Sequence, residues 1–519
     1  MALSANVSII PNPSECQIKP GYFKLTSQTV IVADEPLRPI AELWCKTLNT
    51  AMGFDLKILP AADQQKGIMN LQIQPDMKEL GKEGYLLQVA PEQVRLQACD
   101  QAGIFYGLIT IKQLLAPEIF SRGRASHIDW TIQCLEIQDR PRFNWRGMHL
   151  DVCRHFMPIE FVKKYIDLIA LHKMNIFHWH LTDDQGWRIE IKKYPKLTEI
   201  GGWRKETLIG PMRKQPREFD ATPHGGFYTQ EEIRDVVEYA RRRFVTIVPE
   251  IEMPGHTQAA IAAYPELGTT GLPTETLTYW GGCEQILNAE ESTVRFMQDV
   301  LEGVLDLFPG PYIHIGADEV NKQPWKDSPQ VQARMKELAL DNEEQLQSWF
   351  VRQMDTFLTE RGRRLIGWDE ILEGGLAPGA TVMSWRGMEG GLAAAKSGHD
   401  VVMAPCLYTY FDYYQADPDI EPLAIGGFTP LEKVYSFDPI PEGLSPDQAR
   451  HILGAQGQVW TEYISTPDKV EYMALPRMSA LAEVVWSRQK KKDFSEFQSR
   501  LLTHMKRLKY WGVNFRQPE

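Results

Sequence analysis

The sequence predicts an α/β fold, a (β/α)8 TIM-type barrel preceded by a small α+β domain, and three observations carry that prediction. From Phe143 onward, short β-rich runs alternate with longer helical patterns. Eight such runs occur, the number that closes a (β/α)8 barrel. Polar and aromatic residues crowd just after nearly every run, as they must where a barrel carries its chemistry at the C-terminal ends of its strands.

The elements follow in order. Residues 1–140 read as the α+β unit, with strands expected at Thr29–Ala33, Leu56–Leu59, Met69–Ile73, Tyr85–Ala90 and Gln93–Ala98. The last two form a hairpin across Pro91-Glu92. Helical spacing marks Pro39–Ala51 and Gln101–Leu115. Asp139-Arg140-Pro141-Arg142 reads as a linker. The barrel, residues 141–490, has strands expected at Arg146–Val152, Asn175–Leu181, Thr246–Glu250, Tyr312–Ile315, Arg364–Trp368, Thr381–Trp385, Asp400–Ala404 and Gly454–Trp460. Its clearest helices are Ile159–His172, Gln230–Arg243, Glu291–Leu307 and Glu343–Glu360. A C-terminal segment, residues 491–519, carries a helix over Phe494–Leu508 that is expected to pack on the barrel.

Composition agrees and excludes several classes. At about 150 residues per domain, 519 residues suggest three or four domains. A barrel alone takes about 250 residues or more, which brings the number to two. With 43% hydrophobic and 24% charged residues there is material for a core. A net charge of −12, with no basic stripe, argues against nucleic acid as a partner. No run approaches about 18 apolar residues, so no membrane span is expected. Seven scattered cysteines without a CxxC pair exclude zinc-ribbon and thioredoxin chemistry. The segment Met1–Pro13 lacks a basic stretch followed by an apolar one. The protein is therefore expected to be cytoplasmic, or else periplasmic or secreted with its leader removed.

The strand ends carry the chemistry. They read Leu150-Asp151-Val152-Cys153-Arg154-His155-Phe156, then His178-Trp179-His180-Leu181-Thr182-Asp183-Asp184, then Pro249-Glu250-Ile251-Glu252-Met253-Pro254-Gly255-His256. The fourth is His314-Ile315-Gly316-Ala317-Asp318-Glu319, and the fifth and sixth give Trp368-Asp369-Glu370 and Ser384-Trp385-Arg386. Tyr410-Phe411-Asp412 follows the seventh, and the eighth ends Trp460-Thr461-Glu462. Carboxylates, an arginine and aromatic rings thus converge on one rim. Carboxylates bond sugar hydroxyls, and aromatic faces suit the C–H face of a pyranose. A phosphate-binding barrel would instead show Gly-rich loops after strands seven and eight. A sugar substrate is the better reading, and two carboxylates are the minimum for cleaving a glycosidic bond.

Asp318 and Glu319 are adjacent, an awkward placement for flanking a sugar ring at the roughly 5 Å that a conventional retaining enzyme needs. The pair fits better if the nucleophile belongs to the substrate. A 2-acetamido oxygen can attack C1 while one carboxylate orients its N–H and the other acts as general acid, then base.

At these residues the chain resembles the family 20 glycoside hydrolases, the β-N-acetylhexosaminidases. The likeness rests on His314-x-Gly316-x-Asp318-Glu319, Leu150-Asp151-x-x-Arg154-His155-Phe156, His178-Trp179-His180-x-x-Asp183-Asp184, Pro254-Gly255-His256 and Trp460-x-Glu462. The N-terminal unit is similar to the small domain that precedes such barrels. The resemblance implies an exo-acting retaining enzyme without cofactor or metal, acting on oligosaccharides or glycoconjugates with terminal N-acetylglucosamine or N-acetylgalactosamine, as monomer or homodimer. It implies Glu319 as acid/base, Asp318 as the residue orienting the acetamido group, and Tyr410 on the acetamido oxygen. Trp368, Trp385 and Trp460 are implied as walls of the sugar site, and Arg154, Asp412 and Glu462 as clamps on its hydroxyls. Asp183 and His256 resemble a supporting pair behind Glu319, with His314 and Glu252 also in support. Glu252 stands where many members have Asp.

Two other readings were weighed on the residues. His178 and His180 share a strand face, and HxH can hold a metal. Here it lies on the second strand rather than the first, and packing is the better account. A sugar-binding protein on a decayed barrel is disfavoured because Asp318 and Glu319 are both present.

Overall fold

The computed structural model describes residues 7–60, 68–281 and 285–518. Met1–Asn6 and Cys283 lie outside the described residues. Among the described residues no helix is long and apolar enough to cross a membrane.

The N-terminal unit is a seven-stranded mixed sheet. Its order is Glu15–Lys24, Thr131–Asp139, Tyr85–Ala90, Gln93–Ala98, Ile68–Ile73, Val30–Ala33 and Lys57–Leu59. The five expected strands are present, and the Pro91-Glu92 turn closes its hairpin in the expected register. The helix Arg38–Met52 stops where Gly53 turns left-handed at φ 73°, a backbone state that costs glycine little. The helix Gln101–Leu114 begins at Asp100, whose carboxylate accepts from the Gln101 amide.

Two strands had not been expected. Glu15–Lys24 lies at the sheet edge, almost wholly exposed, with a register shift between Ile18 and Tyr22 around Pro20-Gly21. It therefore lacks the apolar alternation that marks a half-buried strand. Thr131–Asp139 buries Ile132, Cys134, Leu135, Ile137 and Asp139, its alternation broken where Cys134 and Leu135 are buried side by side.

The rest of the core is a closed parallel barrel. Its strands are Trp145–Asp151, Ile176–His180, Thr246–Glu250, Tyr312–His314, Arg364–Trp368, Thr381–Ser384, Val401–Met403 and Ile452–Gly457, and the last pairs with the first. All eight expected strands are there, shifted by at most a few residues. Helices Ile159–Leu171, Gln230–Arg241, Glu291–Leu305 and Glu343–Glu360 match the expected four. Thr229 and Glu232 form a capping box at the second of these, and Asn342 caps the fourth.

The last helix, Phe494–Trp511, touches both units. Its Arg500 pairs with Glu483 of the helix Arg477–Trp486 at 2.6 Å, and Arg507 donates to the carbonyl of Gln113.

Asp139 is not linker but the end of a strand, fully buried, and it ties the two units together. It accepts from the Ser14 amide at 2.9 Å, the Tyr85 hydroxyl at 2.8 Å, the Trp486 indole at 3.0 Å and the Lys173 ammonium at 2.9 Å. Lys173 is itself fully buried. Beside it, Arg146 of the first barrel strand forks onto Glu83 at 2.7 and 2.8 Å. Removing one partner of a buried, hydrogen-bonded pair leaves the other charge uncompensated, at a cost of about 3–5 kcal/mol. Asp139→Ala should therefore lower unfolding stability by about that amount, measured by denaturant titration. The double variant Asp139→Asn/Lys173→Met should recover part of the loss.

Candidate active site

The fourth barrel strand ends at His314, and the chain then makes a tight left-handed passage. Gly316, Ala317 and Glu319 have φ of 65°, 72° and 45°. Gly316 admits no side chain, since a Cβ there would sit 1.7 Å from Glu252 Oε2. Ala317 and Glu319 hold a conformation that L-residues avoid at about 1–2 kcal/mol each, a form of strain that concentrates at functional sites. The consequence is geometric. Side chains that would alternate along a strand both reach one cavity of about 300 Å³, lined by Asp318 and Glu319 together.

That cavity also gathers Arg154, His256, Trp385, Tyr410, Asp412, Trp460 and Glu462. Nine of the thirteen residues singled out from the sequence thus share one lining. Asp183, Glu252, His314 and Trp368 are not part of it.

Behind the lining runs a chain of charges. His180 Nε2 lies 2.8 Å from Asp183 Oδ2, and Arg154 reaches the same oxygen at 2.9 Å. His256 Nδ1 is 3.3 Å from Asp183 and 3.2 Å from Asp184, while its Nε2 faces Asp318 at 3.8 Å and Glu319 at 3.6 Å. Burial disfavours charge on His256, but Asp183 and Asp318 outweigh it and hold the imidazolium well above its ordinary range. The contact with His256 in turn draws the Glu319 carboxyl down. Asp318 goes the other way. Burial, opposed by His256 and reinforced by Glu319, pushes it up to about 6. Asp184 belongs to this chain as well, and its adjacency to Asp183 was the sequence signal for it.

Trp385, Tyr410 and Trp460 form the aromatic wall. The Trp385 and Tyr410 rings are nearly parallel, with centroids 6.1 Å apart. Trp460 sits under the Arg154 guanidinium at 5.1 Å. Trp368 does not line the cavity. It is buried beneath, against Trp460, and its indole donates to Glu250 Oε1 at 2.8 Å. Its strand runs through Trp368 itself, so the ring points into the barrel. Trp385 lies one residue past the end of its own strand.

Opposite stand two more acids. Burial pushes Glu462 up to about 6 against the pull of Arg154. Burial and the neighbouring Glu462 raise Asp412 further. Asp318 Oδ1, Asp412 Oδ1 and Glu462 Oε2 are buried and have no hydrogen-bond partner among the described residues. Buried acceptors of this kind suit a ligand that brings its own donors. Three carboxyl groups in so small a space favour neutral hydroxyl and amide donors over anions.

Loops that the sequence could not position complete the wall. Met212, Gly281 and Ile425–Gly427 line the cavity. The Met212 amide is fixed by the Tyr463 hydroxyl at 2.8 Å, and the Leu208 amide by the Thr278 carbonyl. Tyr413 is a further member of the lining that sequence reasoning missed, and Gln185 supports the lining from behind. Gln185 accepts from Arg154 Nε at 2.9 Å.

The HxH pair proves to be part of a packed hub. Glu250 bonds the His180 Nδ1 position, lies 3.1 Å from His178 Nε2 and lies 2.8 Å from His314 Nδ1. His314 is fully buried in this hub rather than at the cavity. His178, His180, His314 and Trp368 thus pack around the buried Glu250 carboxylate.

Family models for the glycosyl hydrolase family 20 catalytic domain and for that family's domain 2 match residues 143–489 and 6–140. The chain belongs to glycosyl hydrolase family 20. It is similar to a beta-hexosaminidase of Porphyromonas gingivalis, 44% identical over 515 residues, which takes in 99% of this chain and 64% of that protein. The chain thus spans a little under two thirds of that relative's length. It is also similar to the solved exo beta-N-acetylglucosaminidase of Vibrio harveyi in complex with N-acetylglucosamine. That likeness has a TM-score of 0.86 and 34% identity, covering 99% of this chain and 78% of the other. The N-acetyl-beta-hexosaminidase of Streptomyces plicatus in complex with thio-NAglucal gives a TM-score of 0.84 at 30% identity, covering 99% and 97%.

Within this family 20 site Glu252 stands out by its burial. Its Oε2 has no partner among the described residues, and burial together with the Asp318 charge holds its carboxyl well above the usual range. Folding therefore takes up a proton on Glu252 at pH values between its ordinary and its raised pKa. The stability linked to this group is full below the ordinary carboxylate pKa and is lost as pH rises towards the folded value. Glu252→Gln should accordingly reduce the fall in unfolding stability between pH 5 and pH 8, read from denaturant midpoints at the two pH values.

Proposed function

We propose that the protein is an exo-acting, retaining β-N-acetylhexosaminidase that removes terminal, non-reducing β-linked N-acetylglucosamine or N-acetylgalactosamine by substrate-assisted catalysis. The observation that carries this reading is the adjacent pair Asp318 and Glu319 on one cavity of about 300 Å³. That volume lies at the small end of ligand pockets and suits one pyranose with its acyl arm. The family 20 membership, the beta-hexosaminidase name of the Porphyromonas relative and the N-acetylglucosamine held by the Vibrio structure support it.

In this mechanism the acetamido carbonyl oxygen attacks C1 while Glu319 gives a proton to the glycosidic oxygen. The C1–O bond to the leaving alcohol breaks as the ring of an oxazolinium closes. Asp318 accepts the amide N–H at its otherwise unpartnered Oδ1, and its charge balances the cation that forms. Tyr410 donates its hydroxyl to the acetamido oxygen. Glu319, now a carboxylate, takes a proton from the water that opens the oxazolinium, and two inversions give retention. Arg154, Asp412 and Glu462 hold the sugar hydroxyls, while Trp385 and Trp460 wall the ring. Asp183 and His256 hold Glu319 from behind.

The pKa order in the ligand-free protein, Asp318 raised and Glu319 lowered, would by itself suggest the opposite division of labour. Exposure supports the division proposed here. The Glu319 side chain is 53% exposed at the mouth, where a leaving group and a water can reach, and that of Asp318 is 13% exposed. A bound glycoside covers Glu319 and raises its pKa, and the amide N–H given to Asp318 lowers that of Asp318.

Glu319→Gln should reduce kcat on an aryl β-N-acetylglucosaminide by several orders of magnitude. The same aryl glucoside lacking the acetamido group should barely react with the wild type. Near wild-type turnover in either assay would reject the mechanism. Because Asp318 must be ionised to take the amide N–H, kcat/KM should fall on the acid side with an apparent pKa near 6, the value at which that carboxyl is held. A profile flat from pH 7 to pH 4 would contradict this role.

A further inference from the structure

Glu370 takes no part in the steps above, yet its side chain reaches the wall of the cavity. The fifth barrel strand ends at Trp368, and a short turn, Asp369–Leu372, follows. From that turn the nearly buried Glu370 extends towards the end of the sixth strand, where its Oε2 accepts from Trp385 Nε1 at 3.0 Å. The other groups around it are committed elsewhere. Arg386 lies 3.7 Å from Glu370 but is held by Asp369 at 2.6 Å and by Glu373 at 2.9 Å. Ser384 and Gly387, on either side of Trp385 and Arg386, are joined by a 2.9 Å bond from the Ser384 hydroxyl to the Gly387 carbonyl. The backbone around Trp385 is therefore fixed, and the one polar atom of its ring donates to Glu370.

The geometry points to Glu370 as a positioning residue that locks the Trp385 indole against Tyr410, and so sets how large a 2-acyl group the cavity admits. This rests on the function proposed above. An indole is free to swing about the bond joining the ring to Cβ unless its N–H is bound, and a wall is only as selective as it is rigid. Trp385 faces Tyr410 across 6.1 Å on one side and is bound to Glu370 on the other. Glu370 also senses Asp318. Burial and then the Asp318 charge, against the Trp385 hydrogen bond and the Arg386 charge and with a smaller push from Asp369, hold its carboxyl up to about 8. The wall and the acetamido-orienting carboxylate thus share one electrostatic environment. A methylene more or less in an apolar pocket is discriminated about 10- to 200-fold, which is the range in which a loosened wall would be visible.

The test compares aryl β-glucosaminides carrying N-acetyl, N-propionyl and N-butyryl groups on the wild type, Glu370→Ala and Glu370→Gln. Glu370→Ala should raise KM for the N-acetyl substrate more than it lowers kcat. It should also cut the kcat/KM preference for N-acetyl over N-butyryl by about tenfold. Glu370→Gln, which keeps a carbonyl oxygen for the indole N–H, should restore the wild-type preference. An unchanged preference in Glu370→Ala, or a Glu370→Gln variant as permissive as Glu370→Ala, would overturn the inference. Because the readout is a ratio within one preparation, partial misfolding does not imitate it. A wild type that cleaves none of the three substrates would instead reject the underlying function.

Discussion

One buried carboxylate organises the upper half of the barrel. Glu250 ends the third strand, and its two oxygens meet His178 and His180 of the second strand, His314 of the fourth and Trp368 of the fifth. Burying a carboxylate is costly unless polar partners surround it, and here three other strands supply them. The arrangement fixes the relative height of those strands. From His180 the order passes to Asp183, from Asp183 to Arg154 and His256, and from His256 to Asp318 and Glu319. The residues at the cavity are thus held by a continuous ladder of charges that begins in the core. Asp151 adds a brace on the far side, accepting from the Thr461 amide and hydroxyl and so joining the ends of strands one and eight.

The ladder explains why the site tolerates so many acids. Arg154 and the His256 imidazolium offset Asp151, Asp183 and Asp184 behind the wall. Asp318, Asp412 and Glu462 keep buried oxygens that no described residue satisfies. Each such oxygen costs stability in the free protein, and each becomes favourable when a hydroxyl or amide hydrogen is presented to it. Under the function proposed, these unmet acceptors between aromatic faces are what a polyol with an amide arm would satisfy.

Much of this was legible in the sequence. The eight strands could be read because apolar runs of strand length alternate with well-capped helices, and the rim could be read because chemistry follows the strand ends. Trp368 shows the limit of that rule. A residue named as lying at a strand end can be the last inside the ladder, as Trp368 is, or the first beyond it, as Trp385 is, and one position decides whether a ring packs in the core or faces the ligand. Glu15–Lys24 escaped because an exposed edge strand has no buried face to impose alternation. Met212, Gly281 and Ile425–Gly427 escaped because loop residues reach the cavity through long-range contacts that leave no local pattern. Asp139 was misplaced for a different reason. Beside Arg140-Pro141-Arg142 it reads as part of a polar connection, and only donors distant in sequence, Lys173 34 residues onward among them, make its burial possible.

The left-handed turn after His314 joins these themes. Adjacent carboxyls can serve one sugar only if the backbone between them abandons the alternation of a strand, and that requires positive φ at residues that resist it. Gly316 meets the requirement without strain, and its missing side chain makes room for the longer arm of Glu252. That arm brings a third acid near Asp318, whose charge adds to burial in holding the Glu252 carboxyl up. A shorter Asp at position 252 would withdraw one carbon from that contact. The Glu at this position is thus linked to the electrostatics of Asp318 through the same glycine that allows the turn.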